Sequence, residues 1–107
     1  MKETSTEGAI HERAANLQTN IETVGGRLVL LEDKLIFQPH GVNIQKPSIT
    51  IDLASIAAIK LGWTKLLGVI PLLPNAFIVS QSDGRSYRFT VFGRKEWLDK
   101  IRERVSL

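Results

Sequence analysis

Residues 26–39 read GRLVLLEDKLIFQP, and this stretch decides the fold of the chain. Two apolar runs of strand length, residues 27–31 and 35–37, flank the charged residues 32–34. Short apolar runs on either side of a polar turn are typical of two antiparallel strands joined by a tight connection. The stretch therefore predicts a β-hairpin.

Further strands are predicted on both sides of this hairpin. Upstream, residues 10–17 carry a weaker pattern that we interpret as a strand. Downstream, residues 48–53 alternate apolar and polar side chains, which is the pattern of a strand with one face in the core and one in water. The alternation continues through Ile59, Leu61 and Trp63, which share the face predicted to be buried.

The C-terminal third predicts a second hairpin and then a helix. Residues 77–79 and 87–91 flank an Asp-Gly pair at 83–84, a strong hairpin signal because glycine accepts a positive φ. After residue 93 the apolar period changes to 3.6, which predicts a helix over residues 94–104. Its apolar stripe consists of Trp97, Leu98, Ile101 and Val105. We expect Trp97 to plug one end of the sheet.

The whole pattern gives about seven strands followed by one helix. The connections are too short for parallel crossovers, so the sheet should be antiparallel. The predicted fold class is mainly β with one C-terminal α-helix. The main core is predicted to contain Leu28, Leu35, Phe37, Ile51, Leu53, Phe77, Tyr87 and Phe89.

Composition bounds the organisation of the chain. Its 107 residues suffice for one core, so we expect a flexible N-terminal tail over residues 1–8 and a single domain over residues 9–107. The absence of cysteine excludes disulfides and thiolate metal sites. The start is polar and unlike a secretory signal, and the longest apolar run, residues 66–73, is far short of the ~20 residues that span a bilayer. We expect a cytoplasmic protein, with peripheral attachment to a membrane as the alternative.

The first hairpin resembles the GRAM family. The residues that carry the resemblance are Gly26, the alternating Leu28 and Leu30, and the run Leu35-Ile36-Phe37 followed by Pro39. Further support comes from Ile51-Asp52-Leu53 with Ile56, from Asp83-Gly84 before Tyr87 and Phe89, and from Arg94 with Trp97. The resemblance spans residues 17–101. It implies a fold of the pleckstrin-homology type, in which the sheet forms a bent seven-stranded antiparallel barrel or sandwich capped by the C-terminal helix.

The sequence offers little material for catalysis. Neither His11 nor His40 has the spacing of a metal-binding pair, and both are interpreted as surface residues. Asp52 is the one acidic residue between positions 34 and 81, and no nucleophile elbow, phosphate loop or dinucleotide fingerprint is present. We therefore predict a binding module that is not an enzyme and uses no cofactor or metal.

Positive charge is concentrated at the C-terminal end, where residues 85–107 hold seven basic and three acidic side chains. This asymmetry can favour an anionic partner. The candidate anion contacts are Arg85, Arg88, Arg94 and Lys95. A nucleic-acid partner is not expected, because the aromatic residues beside these cations are assigned to the core.

The most distinctive segment is the apolar connection before residue 77. Its candidate contacts with a partner or a membrane are Trp63, Lys65, Leu66, Leu67, Val69, Ile70, Leu72 and Leu73. We expect part of it to be a loop, because Pro71 and Pro74 oppose a regular central strand. If exposed, such a segment needs a partner. If folded back, it completes the core.

Two binding functions follow from an exposed connection. The favoured one is association with another protein or with a second copy of the chain, through this segment or an exposed sheet edge. The alternative is insertion at a membrane surface with acidic lipids, which GRAM and pleckstrin-homology relatives often bind. A basic phosphoinositide pocket is not expected, because residues 18–26 contain no lysine or arginine.

Overall fold

A computed structural model of the chain describes residues 8–19, 22–40, 48–66 and 70–105, apart from the side chains of residues 66 and 70–72. It contains seven strands, a short 3-10 turn between the fourth and fifth strands, and one C-terminal helix. The strands are β1 His11–Gln18, β2 Thr23–Leu30, β3 Lys34–Pro39, β4 Ile49–Asp52, β5 Ile56–Leu66, β6 Ile70–Gln81 and β7 Ser86–Val91, and the helix is α1 Arg94–Arg102.

All seven strands belong to one antiparallel sheet with the order β4-β3-β2-β1-β7-β6-β5. The sheet curls into a half-barrel whose two edges are β4 and β5, and α1 packs against β5 and β6. This arrangement confirms the predicted fold class. The predicted N-terminal tail lies outside the described residues except for Gly8, and the single-domain organisation stays a prediction.

The pairing of β2 with β3 confirms the predicted first hairpin. Leu28 pairs with Phe37 and Leu30 with Leu35, so that large apolar side chains face one another across β2 and β3. At its open end Gly26 allows a close backbone approach, because a Cβ atom there would lie 2.3 Å from the carbonyl oxygen of Gln38. No side chain larger than hydrogen fits at this point without moving the strand.

The predicted core residues are buried except for Tyr87, and His11 packs against the core unexpectedly. Leu28, Leu35, Phe37, Ile51, Leu53, Phe77 and Phe89 are buried, whereas Tyr87 is only partly buried at the edge of the cluster. Trp97 is 0% exposed, and its ring stacks on Phe77 with 6.3 Å between centroids. The interpretation of His11 as a surface residue is wrong: its ring packs 4.5 Å from Trp97, and its side chain is 14% exposed.

Two glycines with a positive φ shape the C-terminal hairpin and the start of the helix. Gly84 adopts φ +95° in the β6–β7 turn, which confirms the predicted hairpin. Gly93 adopts φ +76° immediately before α1, so glycine provides the left-handed backbone that redirects the chain from strand to helix. The helix ends at Arg102, two residues before the predicted end.

The two prolines that predicted a loop lie in a strand of the β5–β6 hairpin, and whether part of residues 66–73 is a loop stays a prediction. Pro71 and Pro74 lie within β6, and residues 67–69 are outside the described part of the chain. A strand tolerates these prolines because residues 70–75 pair only with β5, and the pairing there is interrupted by register shifts. Trp63 lies at one of these shifts, and it is 46% exposed although its alternation with Leu61 predicted burial.

Candidate functional site

The half of the β5–β6 hairpin that extends beyond β7 folds over the outer face of the sheet. We call residues 63–66 and 70–75 the distal hairpin. Arg88 Nη1 donates a hydrogen bond of 2.7 Å to the carbonyl oxygen of Trp63, and the hydroxyls of Thr64 and Thr90 are 2.8 Å apart. Arg88 and Thr90 are on the face of β7 opposite to buried Phe89, so these contacts place the distal hairpin on the outer face.

Gln18 of β1 holds the same hairpin from further along the sheet. The N–H of Lys65 donates to Gln18 Oε1 at 2.7 Å, and Gln18 Nε2 donates to the carbonyl oxygen of Lys65. One side-chain amide thereby satisfies both backbone groups of a strand residue, as a neighbouring strand would. These two bonds connect residues 47 positions apart and fix the hairpin to β1.

Gly62 makes this crossing sterically possible. A Cβ atom there would lie 2.8 Å from Ile78 Cδ1 and 3.0 Å from Arg88 Nη1. Arg94 at the start of α1 donates from Nη1 to the carbonyl oxygens of Gly62, at 2.6 Å, and Ala76, at 3.4 Å. Arg94 therefore holds β5 at the point where the distal hairpin begins to cross the sheet. The absence of a side chain at Gly62 leaves the room that Ile78 and Arg88 occupy.

The distal hairpin presents apolar side chains to solvent. Trp63 is 46% exposed and Leu73 is 56% exposed. Phe92, in the turn between β7 and α1, is 81% exposed, and the guanidinium of Arg13 lies 5.6 Å from the centre of its ring. Apolar groups held outward by a hydrogen-bonded scaffold are a typical feature of contact surfaces.

The remaining residues of the predicted apolar contact divide into two groups. Lys65 is partly buried, and its backbone is held by Gln18. The side chains of Leu66, Leu67, Val69, Ile70 and Leu72 lie outside the described residues, so their part in the contact stays a prediction.

The predicted anion contacts do not form one cluster. Arg85 pairs with Asp83 at 3.2 Å in the β6–β7 turn, where a hydrogen bond with Tyr87 and the Asp83 carboxylate raise the pKa of its guanidinium. Arg88 donates a hydrogen bond to the carbonyl oxygen of Trp63. Arg94 and Lys95 both line a cleft on the other side of the distal hairpin. The charge pattern did not indicate that arginines would brace backbone carbonyls.

This cleft has a volume of about 680 Å³. Its floor is the outer face of β1 and β7, and its walls are the distal hairpin and the β7–α1 turn. The lining residues are Ala14, Ala15, Asn16, Gly25, His40, Pro74, Asn75, Thr90, Val91, Phe92, Gly93, Arg94 and Lys95. Sequence reasoning missed this cleft, although a glycine inside a strand, as at position 62, is a recognised signal of close approach.

An exposed sheet edge was predicted as a second association surface, and one of the two edges of the sheet, β5, is partly occupied. Arg102 Nη2 donates to the carbonyl oxygen of Ile59 at 3.2 Å, so the helix contributes arginine donors to β5 at Ile59 and Gly62. Side chains that bind an edge strand compete with pairing by another chain. The distal hairpin is therefore a better candidate for a contact than the β5 edge.

A metal-binding cluster and a membrane-spanning helix are both absent from the part of the chain that the structure describes. No three histidine or acidic side chains in that part lie close enough together to hold a metal ion. The helix found in the described residues is not long and apolar enough to cross a bilayer.

Comparisons with solved structures define the class of fold. The chain superimposes on the solution structure of the C-terminal PH domain of human pleckstrin 2 with a TM-score of 0.72 and 16% identity, covering 100% of this chain and 92% of that one. It matches linker-DH/PH domains of p115-RhoGEF with a TM-score of 0.66 and 20% identity, covering 89% of this chain and 28% of that one.

A third structure, the Slm1-PH domain in complex with phosphoserine, gives a TM-score of 0.60 and 11% identity, covering 92% of this chain and 94% of that one. No protein-family model and no curated protein sequence matches the chain. The structural likenesses establish a fold of the pleckstrin-homology type.

Proposed function

We propose that this chain is a non-catalytic binding module of the GRAM type, which associates with another protein or with a second copy of itself through the distal hairpin. The observation that carries this proposal is the exposure of Trp63 and Leu73 on a hairpin anchored to β1, β7 and α1. Anchoring matters because a preorganised surface loses little conformational freedom on binding.

The fold and the sequence resemblance support the same proposal in different ways. A pleckstrin-homology-type fold supports a binding role only by analogy, because one fold can carry many functions. The first hairpin, from Gly26 to Pro39, supports the narrower GRAM assignment. The cytoplasmic location remains a prediction.

Docking on an acidic membrane surface is a second candidate, favoured by one observation. Phe92 is the most exposed large apolar side chain among the described residues, Arg13 lies 5.6 Å from its ring, and Lys95 lines the same cleft. An aromatic ring flanked by cations suits an interface where acyl chains meet anionic headgroups.

The test is the double variant Trp63→Glu with Leu73→Glu, compared with the parent by sedimentation velocity over a concentration series. We expect the parent to associate and the variant to remain a folded monomer, because two charges cannot be buried in an apolar contact. The matched control is Ala57→Glu with Ala58→Glu, which changes two exposed positions at the other end of β5.

The same proteins and the variant Phe92→Glu are then mixed with vesicles of phosphatidylcholine and phosphatidylserine. Vesicle binding by a monomeric parent, lost on Phe92→Glu and weakened by salt, would replace self-association with membrane docking. A monomeric parent that binds neither vesicles nor any protein recovered by crosslinking in its source cells would reject the distal hairpin as a contact surface.

A further inference from the structure

The cleft beside the distal hairpin has the volume and the lining of a separate binding site. Its volume of about 680 Å³ lies within the range of ligand pockets. The floor carries the small side chain of Ala14 and the polar ones of Asn16 and Thr90, and exposed Phe92 stands at the wall. The cleft exists because the distal hairpin crosses the outer face, so it is a built feature of the fold.

Arg94 lies in the wall of this cleft, and hydrogen bonds fix its guanidinium there. Its Nη1 atom is bound to the carbonyl oxygens of Gly62 and Ala76, which fixes the plane of the guanidinium. The Nε and Nη2 atoms have no hydrogen-bond partner among the described residues. A guanidinium fixed in this way keeps a fork of donors that matches a carboxylate.

The other charges of the lining have the same sign. Lys95 follows Arg94, and no aspartate or glutamate is among the described lining residues, although the carboxylate of Glu96 lies beside Gly93 at the margin of the cleft. The side-chain amide of Asn16 has no partner in the described part of the chain and offers one acceptor and two donors. An amide of this kind can hydrogen-bond the backbone of an extended peptide.

We propose that the cleft binds an acidic peptide segment of a partner protein, with a carboxylate on Arg94 and Lys95 and an adjoining apolar side chain against Phe92 and Pro74. The charge of the lining argues for the acid. The side-chain amide of Asn16 on the floor argues for a peptide, because an extended backbone offers it both a donor and an acceptor. The inference rests on the proposed role as a binding module, but it does not require Trp63 or Leu73.

The probe is a blocked hexapeptide of alternating glutamate and leucine, titrated into the isotopically labelled chain while amide NMR shifts are recorded. We expect saturable shifts at Ala14, Asn16, Thr90 and Lys95, and weaker binding as salt is raised. A peptide with glutamine in place of glutamate should not bind. Inorganic phosphate and phosphatidylserine vesicles are titrated in parallel.

The decisive variant is Ala14→Glu, which adds a carboxylate at an exposed position in the cleft. It should weaken the acidic peptide about tenfold or more, because a like charge then opposes the ligand. The matched control is Ala57→Glu, with the same change on β5 outside the lining, and it should leave the affinity unchanged within about twofold. Lys95→Gln should give an intermediate loss.

The outcomes separate this inference from the proposed function. Equal binding of both peptides, lost in the Trp63 and Leu73 variant, would refute the acidic site and support the hairpin contact. Shifts outside the cleft, or an Ala14→Glu variant that binds like the parent, would overturn the inference. It would also be overturned by saturation with phosphate alone, which means an adventitious ion only, or by binding to vesicles alone.

Discussion

Replacing Trp97 with alanine tests how the half-barrel is closed. An aromatic side chain of this class buries about 150–250 Å². At ~25 cal/mol per Å² this corresponds to about 4–6 kcal/mol. Because alanine keeps part of that contact, Trp97→Ala should lower the free energy of unfolding by ~3–5 kcal/mol, as for other truncations of large core residues.

The assay is urea unfolding followed by circular dichroism, with Trp63→Ala as the matched control. For an m-value of about 1.5 kcal/mol/M, the midpoint of Trp97→Ala should fall by about 2–3 M. Trp63→Ala should lose only about half as much, because Trp63 is 46% exposed. If Trp97→Ala does not fold at all, Trp97→Phe keeps a ring and should show a smaller loss. Equal midpoints for Trp97→Ala and the parent would show that Trp97 is not the plug.

Two further substitutions test the close approach in the first hairpin and the anchoring of the distal hairpin. Gly26→Ala should destabilise the fold by about 1–3 kcal/mol, because the new methyl group meets the Gln38 carbonyl. Gly25→Ala should cost less, since its contacts at 3.3 Å are movable side chains, and equal urea midpoints for the two would contradict the steric argument. Gln18→Leu removes both bonds to Lys65 and should speed hydrogen exchange of the Lys65 amide, whereas Asn16→Leu on the same face should not. Unchanged exchange at Lys65 would show that Gln18 does not hold the hairpin.

Local patterns predicted most of the fold because most of its elements are specified locally. The run from Gly26 to Pro39 contains both strands and the turn of the first hairpin, and the Asp83-Gly84 pair specifies another. The change of apolar period after Gly93 predicted α1 and its buried stripe. In each case the residues that determine the element are close together in the sequence.

The candidate site was less predictable because its geometry depends on long-range polar contacts. Gln18 reads as an ordinary polar strand residue, and only the folded chain brings its amide to Lys65. Trp63 departs from alternation because the register shifts between Gly62 and Thr64. Arg94 was predicted to meet an anion, but its position depends on carbonyls of two other strands, which no pattern around residue 94 could indicate.

The anchoring of the distal hairpin also has a kinetic consequence. Its bonds join β5 to β1, β7 and α1 across 25 to 47 positions of sequence, so they can form only after distant parts of the chain have met. Contacts of large sequence separation that are absent from the folding transition state leave the folding rate almost unchanged and slow unfolding instead. We therefore expect the anchors to form late, on a sheet that is already assembled. Removing them, as in Gln18→Leu, should raise the unfolding rate in a chevron plot more than it lowers the folding rate.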